Sequence, residues 1–529
     1  MQSRSSRLLS GPFWFALPVF AWLTWRLDFL VDDAFISYRY GRHLAQGWGL
    51  VWNPGESPPV EGFSNFLWTM LCAALERASL DPQVWTRAVG ITCGALIVAA
   101  VGRLVLERAP RQVGSARLAA LLAAALPPLA MWSSGGLETA AFSLAVFATF
   151  ERLCIQRERP HIAGAALAAV FAVLLRADGF VWVGMVLVAL VSGAPSEQRR
   201  VMLRAAAWVG AATAVATLGY LAFRWNYFDA LEPNTARIKV AFGAQYLLRG
   251  AQYVASLLLC IVAIPVVLVG GLARLSRDKS GLARPSAMFL ASAFAYLVVL
   301  GGDWMMMYRM AVPTMPFVAV LAGAWFATMK TNLTRVPVGA TCAVLALLPA
   351  FDVHPVPQAL RERAHFRWSQ EFRSEYAMWE KGVVDIREWI EIGRALELHT
   401  LPGESMVIGN IGAFGYFASE LVVYDTQGLT NREPLLPLDP KKREMPGHDR
   451  KVEIASFEKY APTYLTARIV DALDPWQILP KDWQDRGPDG AVLGPNEKGR
   501  AKYEFELRPL QPEQGFRPQT ALLLIRFRR

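Results

Sequence analysis

Long apolar runs, separated by short polar connections, fill the first 351 residues of the chain. Each run holds roughly 15 to 23 residues rich in Ala, Leu and Val, which is near the length that crosses a bilayer. The runs predict eleven transmembrane helices, at 12–31, 84–106, 116–133, 136–154, 161–175, 179–193, 203–224, 251–272, 286–301, 311–328 and 335–351. From residue 352 onwards charged and apolar residues are mixed. We therefore expect a polytopic α-helical membrane module at 1–351 and a soluble domain at 352–529.

One further apolar segment, 63–79, is short for a span and carries Glu76 and Arg77 near its end. The charges of the connections decide its placement, because cytoplasmic loops carry an excess of Lys and Arg. If 63–79 crossed the membrane, the basic loop 107–117 would face outwards and every later loop would invert. If it lies in the interface, all the basic connections face the cytoplasm: 107–117, 151–160, 196–204, 273–284 and 329–335. We therefore predict an interfacial helix at 63–79.

This topology collects the polar, non-basic connections on the outer side of the membrane. They are the first outer loop 32–83, the turns 134–138, 176–179 and 301–309, the loop 225–250, and everything after 352. The charge bias predicts a membrane protein that exposes these residues and its C-terminal domain on the outer face.

The C-terminal part alternates helical and strand patterns. Apolar positions at helical spacing predict a helix at 371–397. Short β-rich runs predict strands at 405–408, 421–424, 464–466 and 521–527. This alternation is typical of an α/β or α+β domain, which we expect to cap the membrane module.

Composition agrees with a membrane protein, since 54% of the residues are hydrophobic and only 19% are charged. Basic cytoplasmic loops explain the net charge of +10 better than nucleic-acid binding does, because the latter needs a basic face on a soluble domain. All five cysteines lie in apolar segments and none form a C-x-x-C pair. We therefore expect the cysteines neither to bind a metal nor to form disulfides.

The first outer loop begins with two adjacent carboxylates, Asp32 and Asp33. They are either solvated groups that end a helix or a general base, because a carboxylate can take the proton of an attacking hydroxyl. Arg39 and Arg42 follow at roughly helical spacing, and they form either internal salt bridges or a cradle for a lipid phosphate. Tyr38 and its aromatic neighbours form either a sugar-stacking surface or an interfacial belt.

Other polar residues of the outer loops and turns are candidates for substrate binding, although caps and ion pairs are common at such positions. The candidates are Glu61, Asn65, Glu138, Arg176, Asn234, Arg237, Lys239, Asp303, Arg309, Asp425 and His448. The basic candidates are suited to binding a phosphate, and Asp303 is suited to binding a sugar or a cation. A lone histidine such as His448 is more often structural than catalytic.

The chain carries no Walker loop, no H-E-x-x-H and no G-x-S-x-G. An enzyme whose active site faces outwards has no nucleotides available in that compartment. Its substrate must therefore be activated by a group that the membrane carries. A sugar linked to a polyprenyl phosphate meets this need, because the phosphate is the leaving group.

Four stretches, in order along about 31–450, carry a family resemblance: VDDAFISYRYGRHLAQGWGLVWNPGE, LEPNTARIK, GGDWMMMYRMAVPTMP and IGNIGAFGYF. An outer loop that opens with Asp-Asp after one transmembrane helix resembles the GT-C class of membrane glycosyltransferases. The four stretches together resemble the arabinofuranosyltransferase B family of mycobacteria and its bacterial relatives. The first stretch is fairly specific, and the others are weaker singly.

The resemblance implies inverting transfer of a sugar from a polyprenyl-phosphoryl donor to a glycan, glycoprotein or other glycoconjugate of the cell envelope. It implies that Asp33 or Asp32 is the base. The basic residues near the lipid phosphate would be Arg39, Arg309 or the pair Arg237 and Lys239. The mycobacterial donor would be decaprenyl-phosphoryl-arabinofuranose, but relatives in other bacteria leave the sugar open. A divalent cation and the oligomeric state also stay open.

Two other functions compete with this interpretation. A transporter or flippase of lipid-linked saccharide would line a path through the helices with charge. A non-catalytic envelope-assembly subunit would tolerate changes at Asp32 and Asp33 but not within 400–450. The concentration of charge at the outer side favours the enzyme.

Overall fold

The computed structural model describes residues 14–154, 160–239, 243–437, 446–447, 449–486 and 492–528. Helices account for the first two thirds of the chain. The α-helices there are Leu17–Arg26, Asp32–Ala45, Phe66–Arg77, Pro82–Arg108, Val113–Ala125, Pro127–Ser134, Thr139–Cys154, Ile162–Leu175, Gly179–Gly193, Ser196–Phe228, Asn234–Lys239, Ala244–Cys260, Ala263–Ala273, Ala283–Val299, Met315–Ala327 and Asn332–Leu347. Short 3₁₀ helices lie at Leu275–Arg277, Met306–Thr314 and Leu348–Phe351.

Within the described residues, four helices are long and apolar enough to cross a membrane, or six if two bent pairs each count as one span. One bent pair, Val113–Ala125 with Pro127–Ser134, turns by 56°, where two prolines stop the first helix. Three shorter apolar helices accompany them. A multi-pass helical module is therefore confirmed, whereas the count of eleven spans stays a prediction.

The segment predicted to lie in the interface contains the helix Phe66–Arg77. Its twelve residues extend about 18 Å, which is well short of the hydrocarbon core of about 30 Å. It packs along the helix Asp32–Ala45 of the first outer loop. A straight crossing of the membrane by this helix is thus excluded by its length.

The C-terminal part contains the helices Gln358–Arg363, Glu375–His399, Gly412–Phe417 and Glu497–Lys502 and three small sheets. The strands are β1 Ser405–Ile408, β2 Val422–Asp425, β3 Thr466–Asp471, β4 Gln484–Arg486, β5 Val492–Pro495, β6 Tyr503–Pro509 and β7 Thr520–Phe527. β1 and β2 are parallel, β3, β7 and β6 form an antiparallel sheet in that order, and β4 pairs with β5. A mixed α and β domain is thus confirmed, with more strands than the sequence analysis predicted.

The first outer loop is built into this C-terminal part. Tyr40, Trp52 and Phe63 share a buried cluster with Phe414 and Leu522. Gly412 allows the close approach, since a Cβ atom there would lie 2.0 Å from the carbonyl oxygen of Asp32. The loop therefore connects the membrane helices to the cap rather than lying free above them.

Arg39 secures this connection. Its Nε donates to the carbonyl of Trp52 at 2.8 Å and its Nη2 to that of Leu421 at 2.8 Å. Its Nη1 donates to the carbonyls of Gly415 and Ala418. The side chain is fully buried, so Arg39 is neither a salt-bridge partner nor a phosphate cradle here. Its guanidinium satisfies backbone carbonyls of the cap.

Candidate active site

A cavity of about 240 Å³ opens where the first outer loop meets the ends of several membrane helices. Six of the residues singled out in the sequence line it: Asp33, Asn65, Glu138, Arg176, Asp303 and Arg309. They come from five separate parts of the chain, and the fold brings them together. Apolar side chains such as Ile36, Leu137 and Leu300 complete the wall.

Arg309 is a cation close to Asp33. Its Nε donates to Asp303 Oδ2 at 2.9 Å and its Nη2 to Asp303 Oδ1 at 3.3 Å. The remaining nitrogen, Nη1, lies 4.0 Å from Asp33 Oδ2. The two-point contact with Asp303 fixes the plane of the guanidinium, so that one edge faces the cavity beside Asp33.

A second arginine, Arg176, is held by two carboxylates on the opposite wall. Its Nε donates to Asp178 Oδ1 at 2.9 Å, and its Nη1 donates to Glu138 Oε1 at 3.4 Å. Glu138 Oε2 accepts from Asn65 Nδ2 at 2.9 Å, and Asn65 in turn is paired with Ser37. Burial alone would raise the pKa of Asp178, but the Arg176 guanidinium outweighs it and holds that pKa below its usual value.

A second cavity, of about 450 Å³, lies between the first outer loop and the helix Glu375–His399 of the cap. Trp389, Asn410 and Gln427 give it aromatic and amide surface. Asp33 lines both cavities. Its carboxylate therefore stands at the place where two bound molecules would meet.

The adjacent acid, Asp32, has a different environment. Its Oδ2 accepts from the backbone N–H of Gly412 at 3.0 Å and its Oδ1 from that of Ala413 at 2.8 Å. Burial raises the pKa of Asp32 to about 7; the nearby Asp33 charge adds to the rise and the two N–H bonds oppose it. Asp32 thus fastens the first outer loop to the cap and lines only the second cavity, whereas Asp33 lines both cavities.

Known proteins resemble this chain in parts and as a whole. The family model of a domain of unknown function, DUF8728, matches residues 373–508. A curated relative, the terminal β-(1→2)-arabinofuranosyltransferase of Mycobacterium tuberculosis H37Rv, is 28% identical over 250 residues. That match covers 43% of this chain and 38% of the relative, so the chain spans well under half of the relative's length.

The solved structure of ArnT from Cupriavidus metallidurans, bound to undecaprenyl phosphate, superposes with a TM-score of 0.53 at 13% identity. The superposition covers 96% of each chain. The chain has the GT-C fold. The predicted resemblance is confirmed, and the chain is a multi-pass membrane protein. The mycobacterial arabinofuranosyltransferase AftD matches with a TM-score of 0.46 over 97% of this chain and 39% of its own.

The turn that carries Asp303 and Arg309 is held in a strained conformation. Met307 and Tyr308 have φ angles of 51° and 54°, values that cost side chains larger than glycine free energy. The Glu375 carboxylate accepts from the N–H of Met307 at 2.7 Å. Arg367 donates to the carbonyl of Trp304 at 2.7 Å. The cap therefore fixes the shape of a turn of the membrane module.

Arg367 and Glu375 also form a buried ion pair, with Nη1 to Oε1 at 2.9 Å and Nη2 to Oε2 at 3.1 Å. Sequence reasoning missed both residues, because nothing near 367–375 marks them as partners of a turn more than sixty residues earlier. Trp304 lines both cavities. Its position next to the candidate Asp303 in the sequence could have identified it.

The other predicted site residues lie outside the first cavity. They are Tyr38, Arg39, Glu61, Asn234, Arg237 and Asp425. His448 is outside the described residues, and so is the side chain of Lys239. Most of the six have structural contacts. Glu61 pairs with Arg224 at 2.8 Å, and the Tyr38 hydroxyl contacts that of Thr86 at 2.7 Å.

Two of these residues, Asn234 and Asp425, fix the position of a residue that lines the first cavity. Asn234 Nδ2 donates to the carbonyls of Gly428 and Leu429 at 2.7 and 2.9 Å. Asp425 accepts from the N–H groups of Gln427 and Leu429 at 2.7 and 2.6 Å, and burial raises its pKa to about 7. Leu429 lines both cavities, so the two polar residues set its position without facing the cavity themselves.

Proposed function

We propose that the protein is an inverting glycosyltransferase that moves a sugar from a polyprenyl-phosphate carrier to an acceptor hydroxyl, with Asp33 as the general base. The observation that carries this proposal is the position of Asp33 on the shared wall of two cavities, with Arg309 beside it. A donor and an acceptor that occupy the two cavities would meet at this carboxylate.

The reaction moves one proton and exchanges one bond. The acceptor hydroxyl gives its proton to Asp33 while its oxygen bonds to the anomeric carbon of the sugar. The bond from that carbon to the phosphate oxygen breaks on the opposite face, which inverts the centre and releases polyprenyl phosphate. A general base of this kind typically contributes 10² to 10⁴ in rate.

The first cavity is the proposed donor site, because its two arginines can offset the charge of the departing phosphate. Both are fixed by carboxylates, Arg309 by Asp303 and Arg176 by Asp178. Fixed donors need little reorganisation when charge develops. The structural neighbour ArnT, which was solved with undecaprenyl phosphate, supports a lipid phosphate as the ligand of such a fold.

The second cavity is the proposed acceptor site, and its aromatic and amide surface suits the hydroxyls and faces of a glycan. Arabinofuranose is the sugar to test first, because the curated relative is named an arabinofuranosyltransferase. The basic loops support an orientation in which both cavities lie on the periplasmic side of the inner membrane. The acceptor is accordingly a cell-envelope glycan or glycoconjugate.

The test is transfer in vitro by purified protein with a panel of synthetic polyprenyl-phosphoryl sugars and oligosaccharide acceptors. We expect the product to gain the mass of one sugar with at least one donor of the panel. Asp33→Asn should abolish this gain and Asp32→Asn should retain part of it. Equal activity of wild type and Asp33→Asn would refute the assignment of the base. Movement of intact lipid-linked sugar across the bilayer without a new product would favour a flippase.

A further inference from the structure

A third cavity, of about 600 Å³, lies among basic connections of the membrane module, away from the candidate active site. Three connections form its rim, and each contributes positive charge. The charged lining residues are Arg108, Arg111, Arg277, Asp278, Lys279 and Lys330.

The position of this cavity follows from the helices that lead to it. The helix Pro82–Arg108 has Thr86 against Tyr38 of the first outer loop at one end and Arg108 in the third cavity at the other. Its 27 residues extend about 40 Å, which matches a bilayer including its headgroup regions. The cavity therefore lies at the headgroup depth of the leaflet opposite to the candidate active site.

The rim is held together by Arg108. Its Nε and Nη2 donate to the carbonyl of Ser280 at 2.9 and 2.6 Å, and its Nη1 donates to that of Cys154 at 2.5 Å. The carboxylate of Asp278 is also occupied, since it accepts from the N–H of Ser280 at 2.8 Å and that of Ala283 at 2.9 Å. Among the described residues that line the cavity, five are positively charged and one is negatively charged.

Apolar side chains stand beside the basic ones. Val113 follows the first connection, Leu272 precedes the second and Leu333 follows the third, and they are 42%, 53% and 88% exposed. In a membrane these exposed side chains contact the acyl chains of lipids, although they do not line the cavity themselves. A membrane lipid offers both a phosphate to the basic residues and acyl chains to the apolar ones.

We propose that the third cavity binds the phosphate-bearing headgroup of an anionic phospholipid from the leaflet opposite to the active site. The basic residues recognise the phosphate, and the neighbouring apolar side chains contact the acyl chains. This site is independent of the proposed sugar transfer, and its test does not require activity.

The test uses the full-length protein in nanodiscs made from phosphatidylcholine with a minor fraction of phosphatidylglycerol, followed by native mass spectrometry of the released protein. We expect wild type to retain phosphatidylglycerol selectively. The triple variant Arg277→Gln, Lys279→Gln, Lys330→Gln should retain about tenfold less or lower still, since each basic group near an anionic surface contributes about fivefold in affinity.

A matched control separates this site from a general charge effect. Arg199, Arg200 and Arg204 are exposed on the first turns of the helix Ser196–Phe228, whose far end packs against Phe63 of the first outer loop. They therefore lie at the same membrane end, outside the lining of the cavity. Because none of the three lines the cavity, changing all three to Gln should lower lipid retention far less than the cavity variant does.

Three outcomes would overturn the proposal. One is equal retention by wild type and the cavity variant when both show the same melting temperature in phosphatidylcholine alone. Another is an equal loss in the control variant. The third is displacement of the lipid by millimolar inorganic phosphate, which would identify a site for free phosphate instead.

Discussion

The two ends of the membrane module use charge in opposite ways. In the first cavity each arginine has a carboxylate partner, Arg309 with Asp303 and Arg176 with Asp178, at 2.9 Å in both pairs. The described lining of the third cavity contains five basic residues and one carboxylate. The same residue types therefore serve different purposes at the two ends.

This difference in charge pairing indicates which function each end of the membrane module can perform. Paired charges hold one geometry, which a chemical step needs because small displacements of reacting groups cost rate. An excess of positive charge does not fix the geometry of the side chains, but it attracts a negatively charged molecule. Substitutions at the first end should accordingly change rate, whereas those at the other should change what is bound.

The largest effect is expected at Asp33. Asp33→Asn removes the proposed proton acceptor while keeping the shape of the side chain, so transfer should fall by about 10² to 10⁴. Single-turnover measurements with lipid-linked sugar, read by product mass, test this. Thermal melting should stay close to wild type. A fall of less than threefold would mean that another group takes the proton.

The next largest effect is expected at Arg309. Arg309→Lys keeps the charge but cannot form the two-point contact with Asp303, so the cation beside Asp33 loses its fixed direction. We expect turnover to fall by about 10². Arg237→Gln is the matched control, because Arg237 is exposed outside the first cavity. If Arg309→Lys kept full turnover, Arg176 rather than Arg309 would be the arginine that binds the phosphate.

A smaller effect is expected from the cap at Arg367. Arg367→Lys retains a positive charge next to Glu375 but loses part of the contacts to the carbonyls of Trp304 and Met305. The strained turn should then hold Arg309 less firmly, and turnover should fall about tenfold with little change in the Michaelis constant. Parallel changes in turnover and melting temperature, restored together at low temperature, would indicate a purely structural role.

These expectations show which parts of the molecule the sequence could predict. Long apolar runs predicted the membrane module, because burial in lipid demands apolar residues throughout a span. The turn with Asp303 and Arg309 and the acid Asp33 were singled out because charge at a membrane boundary is costly unless it is used. All three of these residues line the first cavity.

The rest depended on contacts between distant segments. Arg39 resembled a phosphate ligand, yet its partners are backbone carbonyls some 380 residues later, and carbonyls leave no signature in a sequence. The pair Arg367 and Glu375 was missed for the same reason. Strand β6, Tyr503–Pro509, had a signal that went unused, because Tyr503, Phe505 and Leu507 alternate with charged residues.

The smallest effect concerns Asp32, and it separates the two adjacent acids by pH. The folded protein holds the pKa of Asp32 at about 7, above the usual 3.8, so between these values it binds more protons than the unfolded chain. Stability from this group is therefore present at low pH and is lost as pH rises towards 7. Asp32→Asn should remove the part of the pH dependence that Asp32 contributes, changing the melting temperature by about 1 to 2 °C between pH 5 and 7.5 relative to wild type.

Asp425 retains its own contribution of the same sign, so the pH dependence of stability should become weaker without vanishing. If Asp33→Asn flattened it and Asp32→Asn did not, the fastening role would belong to Asp33 and the assignment of the two acids would be reversed.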